Sequence, residues 1–145
     1  MVLVGGEGWR SEHLHEAIDV GQKAGWLRYL GFVPEDDLPA LYAGARLFVY
    51  PSSYEGFGLP VIEAMASGVP VLSSDRSCLP EITSGAAKFF NPDDAENFIT
   101  SLEEALTDFT WQQKTISRGL QVSARYNWDE CAERTAAVYK VAIKV

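Results

Sequence analysis

Residues 45–75 read ARLFVYPSSYEGFGLPVIEAMASGVPVLSSD. The stretch opens on an apolar run at 47–50 and passes through a polar loop holding Gly56 and Gly58. It resumes as an apolar segment started by Pro60 and stopped by Gly68, then ends in a second apolar run. Proline suits the first helical turn, where its missing N–H costs nothing, and glycine takes the left-handed backbone that closes a helix. PVIEAMASG therefore predicts a helix of about two turns, with Pro60 at its first position, between two buried strands. So short a helix is unstable alone in water and must be packed. A strand, a helix and a strand in succession make a parallel crossover unit.

The same alternation extends outward in both directions. MVLVGG, WLRYLGFV and AAKFF are further strand-like runs, each followed or preceded by turn chemistry. Ser11 can cap a first helix reaching about Ala24, with Leu14, Ala17, Ile18 and Gly21 on one side, and a second, short helix runs from about Glu35 to Gly44. Beyond Asp93 only helices are predicted: one capped by Asp93 or Asp94, one from about Thr110 to Arg125 and one from Asp129 onward. The fold class is α/β, a Rossmann-like parallel sheet with flanking helices and a helical C-terminal tail. With 145 residues and no internal repeat or linker, one domain around one core is expected.

Composition narrows the partners. Twenty acids against 12 bases give a formal net charge of −8, and no concentrated basic face is visible in the sequence, which argues against nucleic acid and against an anionic membrane surface. Cys78 and Cys131 lack the short Cys/His spacings of a zinc site and read as free thiols. No apolar run approaches a membrane span and no leader precedes MVLVGGEG, so a cytoplasmic location is expected. The chain enters directly on a strand, which predicts further sequence upstream.

Glu55 and Glu63 stand on either side of the glycine turn, and two acids look misplaced at a loop suited to an anion. The loop follows a buried strand at its carboxyl end, where open α/β sheets bind ligands. Both glycines would let the backbone approach a ligand and take positive φ, and the amides of the turn and of the helix start would cradle an anion. Carboxylates repel phosphate but accept hydrogen bonds from vicinal hydroxyls. A diphosphate between two polyols resolves the conflict, and nucleotide sugars have that layout. On this reading Gly58→Val should block the ligand while leaving the protein folded. The spacing alone, however, also fits an ordinary first-turn glutamate and an ordinary loop glutamate.

At these residues the chain resembles the retaining, nucleotide-sugar-dependent glycosyltransferases of the GT-B fold, marked by E-x7-E, here Glu55 and Glu63, with GFGLP inside and EAMASGVPV after it. The resemblance continues through LVGGEG, YLGFVPEDDLPALYAGARLFVYPSSYEG, SCLPEI and FFNPDDAENF, nearly the whole chain. It implies the C-terminal, donor-binding half of such an enzyme, residues 1–145, lacking its first strand and helix and the whole N-terminal acceptor domain. By resemblance Glu55 binds the transferred sugar and is the catalytic candidate. Gly56, Phe57, Gly58 and Leu59 hold sugar and diphosphate, and Glu63 holds the ribose diol. Gly31, Phe32 and Val33, with Leu38, line the base pocket. The partners implied are a nucleotide-sugar donor and a saccharide or lipid-linked acceptor bound by the absent domain. Peripheral membrane association of the longer protein and self-association of this chain also fit, and no cofactor or metal is expected. Arg46 departs from the family's usual acid, with consequences expected only at the surface.

The remaining motifs read as structural. GGEGWRS is an imperfect dinucleotide fingerprint lacking the acid expected after the next strand, so Gly5, Gly6 and Gly8 predict a tight turn. His13 and His15 are two apart on a helix, which suits no metal pair. The tryptophans and tyrosines are read as packing residues. The function implied is sugar transfer from a nucleotide sugar to an acceptor hydroxyl with retention. A nucleotide-sugar epimerase of the same fold, or a binding module inactive alone, are the alternatives.

Overall fold

The computed structural model describes residues 1–6, 8 and 12–143. It falls into two compact units, Met1–Leu38 and Pro39–Val145, in place of the single core expected from length.

In the first unit, β1 (Val2–Leu3) pairs in parallel with β2 (Arg28–Tyr29), joined through α1 (Glu12–Lys23). Ile18, Gly21 and Leu27 are buried there. Gly21 is required by packing: a Cβ would come 2.9 Å from both the Leu27 side chain and the Trp26 ring. Leu14 and Ala17, expected on the packed side of α1, are exposed. The predicted Ser11 cap lies outside the described residues. The glycine turn appears at its start, where Gly5, at φ +138°, donates its N–H to the Gly31 carbonyl at 2.9 Å.

The second unit is a parallel sheet in the order β3 (Phe48–Tyr50), β4 (Val71–Ser74), β5 (Ala87–Phe90). Every residue of β4 is buried, as a central parallel strand covered on both faces requires. The helix predicted from PVIEAMASG is α3 (Leu59–Ala66), with Gly58 as its N-cap and Pro60 one position later than expected. Val61, Ile62, Ala64 and Met65 point into a core completed by Val71, Leu79, Ile82, Ala86 and Val122. Most of its helical stability comes from that packing.

An unpredicted element, α4 (Leu79–Thr83), fills the β4–β5 connection. Its five residues are too few for a periodic pattern, and only its burial of Leu79 and Ile82 holds it. The tail follows the prediction as α5 (Ala95–Thr107), α6 (Phe109–Ser123) and α7 (Trp128–Ala142). Their caps are Asp94, Asp108 and Asn127, each accepting a backbone N–H three residues on. α6 reaches α3 at Gly119, where a Cβ would stand 3.2 Å from Met65. Arg46 does more than expected of a surface residue: its guanidinium donates to the Leu106 carbonyl at 2.9 Å, satisfying the end of α5.

Candidate functional site

The loop between β3 and α3 leaves the carboxyl edge of the sheet, as predicted, and both glutamates sit on it or on the helix it opens. Glu63 falls in the second turn of α3, not the first, because the helix starts at Leu59. The macrodipole therefore does little for it, and another group must hold it. That group is Tyr42 of α2 (Leu38–Ala43), whose hydroxyl donates to Glu63 Oε2 at 3.0 Å. Glu55 is held in parallel fashion by Tyr50, the last residue of β3, whose hydroxyl donates to Oε1 at 2.6 Å. Phe48 lies between the two tyrosines, edge-on to Tyr42 and stacked with Tyr50 at ring separations of 5.3 and 5.9 Å. Among the described residues the other oxygen of each carboxylate has no partner, so each glutamate is oriented and still able to accept from a ligand.

The backbone of Glu55 is clamped as well. Ser77 Oγ donates to its carbonyl at 2.7 Å, and the half-buried Cys78 thiol reaches the Phe57 carbonyl at 3.1 Å. Ser77 takes φ +56°, a conformation costing about 1–3 kcal/mol for a non-glycine residue, and holding the loop is what it achieves there. Phe57 packs edge-on against Tyr126 at 5.5 Å, and Tyr126 donates to the Ile82 carbonyl at 3.1 Å. Among the described residues nothing accepts from the amides of Gly56, Phe57, Gly58 or Leu59. Four donors beside the start of α3 suit an oxyanion.

The two glycines differ. Gly58 has φ +96°, whereas Gly56 does not take positive φ, and a Cβ on Gly56 would meet nothing. Gly58 is buried, and a Cβ there would lie 2.7 Å from Leu79 Cδ2 and 3.0 Å from Ile82 Cδ1. Its glycine is demanded by α4 and by its own backbone. The expectation that Gly58→Val acts on the ligand alone is therefore corrected: the substitution should also destabilise the fold.

The four base-pocket candidates lie together in the first unit. Gly31, at φ +64°, Phe32 and Val33 follow β2, and Leu38 opens α2. Phe32 is 81% exposed, an aromatic face available for stacking.

Reading Tyr42 and Tyr50 as packing residues missed their hydroxyls. The available signal was the position of Tyr50 at a strand's carboxyl end, five residues before Glu55. Both phenols are pushed well above the ordinary value of 10.0, first by burial, then by the hydrogen bond to a carboxylate and its charge. A raised native pKa makes the contribution of these phenols complete below pH 10 and lost as the pH climbs above it. Urea midpoints should therefore fall above about pH 10, and the Tyr42→Phe/Tyr50→Phe double variant should show a shallower fall. Tyr50→Phe alone should weaken a sugar-bearing ligand by about 1 kcal/mol, roughly fivefold, with circular dichroism unchanged.

The sequence profile of the family "Glycosyl transferases group 1" matches residues 1–108. The chain belongs to that family, and the expected α/β fold of its GT-B members is the one observed. O-antigen chain mannosyltransferase B of Escherichia coli is 42% identical over 141 residues, covering 97% of this chain and 37% of that protein. Sucrose-phosphate synthase of Thermosynechococcus elongatus superposes with a TM-score of 0.83 at 26% identity, over 99% of this chain and 38% of its own. HepE of Anabaena, solved with UDP-glucose, superposes at 0.80 with 21% identity, over 97% and 40%. The chain thus spans about two fifths or less of these relatives. The relatives named for an activity are transferases, which does not favour the epimerase alternative.

Proposed function

We propose that this chain is the C-terminal, donor-binding half of a glycosyltransferase that moves mannose from a nucleotide sugar onto a growing surface polysaccharide. The observation that carries the reading is the pair of tyrosine-held glutamates flanking four amides that have no acceptor among the described residues, at the carboxyl edge of parallel strands. In this reading Glu55 accepts from hydroxyls of the sugar being transferred, Glu63 from the ribose diol, and the amides of residues 56–59 take diphosphate charge as it develops. Phe32, with Gly31, Val33 and Leu38, receives the base. Similarity to an O-antigen mannosyltransferase supports mannose as the sugar and a saccharide or lipid-linked acceptor.

The acceptor would be bound by a further domain, in a longer protein working in the cytoplasm at the membrane surface. Transfer would retain the anomeric configuration and need no metal, the amides and basic groups of the longer protein neutralising the leaving diphosphate.

Incubating the longer protein with nucleoside-diphosphate mannose or glucose and a mannoside acceptor tests the reading. Mannose transfer with retained configuration, insensitive to a chelator, is expected, and this chain alone should give no turnover. An epimerised donor or an inverted linkage would overturn it.

A further inference from the structure

We propose a second anion site, for a ligand carrying at least two phosphoryl charges, at the end of α4 remote from the glycine turn. α4 begins at the carboxyl edge beside Phe57 and delivers the chain to the amino end of β5. There the α4–β5 loop and α6 enclose an open groove of about 630 Å³, lined by Ser84, Lys114, Ser117, Arg118, Gln121 and Arg125.

In a chain of 20 acids and 12 bases, residues 109–125 hold three cations and no acid, and all three line this groove. Lys114 and Arg118 are four apart on α6 and share one of its faces, and Arg125 follows in the turn just past the end of that helix, on the same groove. Among the described residues none of the three makes an ion pair. The sequence expectation that cations are nowhere concentrated fails here, although three in one groove fall far short of a nucleic-acid footprint.

The loop is shaped around one of these cations. Ser84 and Gly85 take φ +47° and +75°, Arg118 donates to the Ser84 carbonyl, and a Cβ on Gly85 would stand 3.2 Å from Arg118 Nη2. The Gly85 amide has no acceptor among the described residues. Guanidinium forks, an ammonium, a serine hydroxyl and a free amide are a donor set with no carboxylate among its lining residues, the reverse of the glutamate-flanked turn. Polyols are favoured there and bare oxyanions here. Lys114 and the end of α6 at Ser123 are about 13 Å apart along the axis, with Arg125 beyond, so the three cations spread over more than one phosphate can bridge.

Such a ligand could be soluble or displayed on lipid, and two probes separate the sources. Inorganic pyrophosphate would be titrated into the chain while amide chemical shifts are followed, and flotation would be measured with phosphatidylcholine vesicles with or without phosphatidic acid. Shifts at Gly85, Ser117 and Gln121 with pyrophosphate support the site and a soluble ligand. Flotation only with phosphatidic acid, without those shifts, supports the site and a lipid source. In either case Arg118→Gln/Arg125→Gln should lose at least about tenfold in affinity. Lys114→Gln, at a side chain with no partner among the described residues, should lose several-fold and keeps the test valid if the double variant misfolds. Shifts confined to residues 56–59, no response to either probe, or unchanged binding by Lys114→Gln would overturn the proposal.

Discussion

Gly58→Val is expected to destabilise the second unit strongly, not merely to empty the turn. The new Cβ would lie 2.7 Å from Leu79 Cδ2 and 3.0 Å from Ile82 Cδ1, well inside van der Waals contact, and two γ-methyls would enter beyond it. Overpacking of that kind costs about 1–3 kcal/mol. A β-branched residue at φ +96° adds roughly 1–3 kcal/mol. The sum, about 2–6 kcal/mol, is a large fraction of a domain's stability. Thermal unfolding followed by circular dichroism should show a midpoint lower by on the order of 10–20 °C. Gly58→Ala, carrying the Cβ alone, should fall between. A Gly58→Val protein with unchanged midpoint would mean that α4 yields freely, and that the glycine answers to the ligand after all. Gly56→Ala is the natural control, since its Cβ would meet nothing and its φ is not positive; it should leave stability within about 0.5 kcal/mol of the parent.

Glu55→Ala and Glu63→Ala should divide donor recognition between them in the longer protein. Each carboxylate has one oxygen engaged by a tyrosine and one without a partner among the described residues, so each can accept from a ligand hydroxyl. A charge-assisted contact of this kind is worth about 1.5–3 kcal/mol, roughly 10- to 150-fold in affinity. Glu63→Ala should weaken nucleoside diphosphate and nucleotide sugar alike. Glu55→Ala should spare the nucleoside diphosphate and weaken only the sugar-bearing form. Equal losses for both ligands in both variants would refute the division. Neither change should disturb folding much, because Glu63 is exposed and the clamp on Glu55 from Ser77 and Cys78 acts on backbone carbonyls.

Local patterning alone determined the element order apart from α4, the parallel pairing and the chemistry-bearing loop. Pro60 and Gly68 bracket α3, the apolar runs at 47–50 and 69–72 supply β3 and β4, and Asp94 caps the first tail helix. These are signals between neighbours in the chain, which a linear pattern carries in full. The family motif likewise lies within nine consecutive residues, so Glu55 and Glu63 were legible before any geometry.

Contacts between distant residues were decided only by tertiary structure. Tyr42 reaches Glu63 across 21 residues, Ser77 reaches Glu55 across 22, and Leu79 meets Gly58 across 21. No local period encodes such pairs, because α4 forms only when Leu79 and Ile82 have a core to enter. The role of Gly58 follows from that core: in the sequence it is a flexible turn residue, and in the fold it is the space that Leu79 occupies. Lys114, Arg118 and Arg125 likewise become one basic groove only once α6 and the turn after it are set beside the Ser84–Gly85 turn, since net charge averages away what a folded surface concentrates.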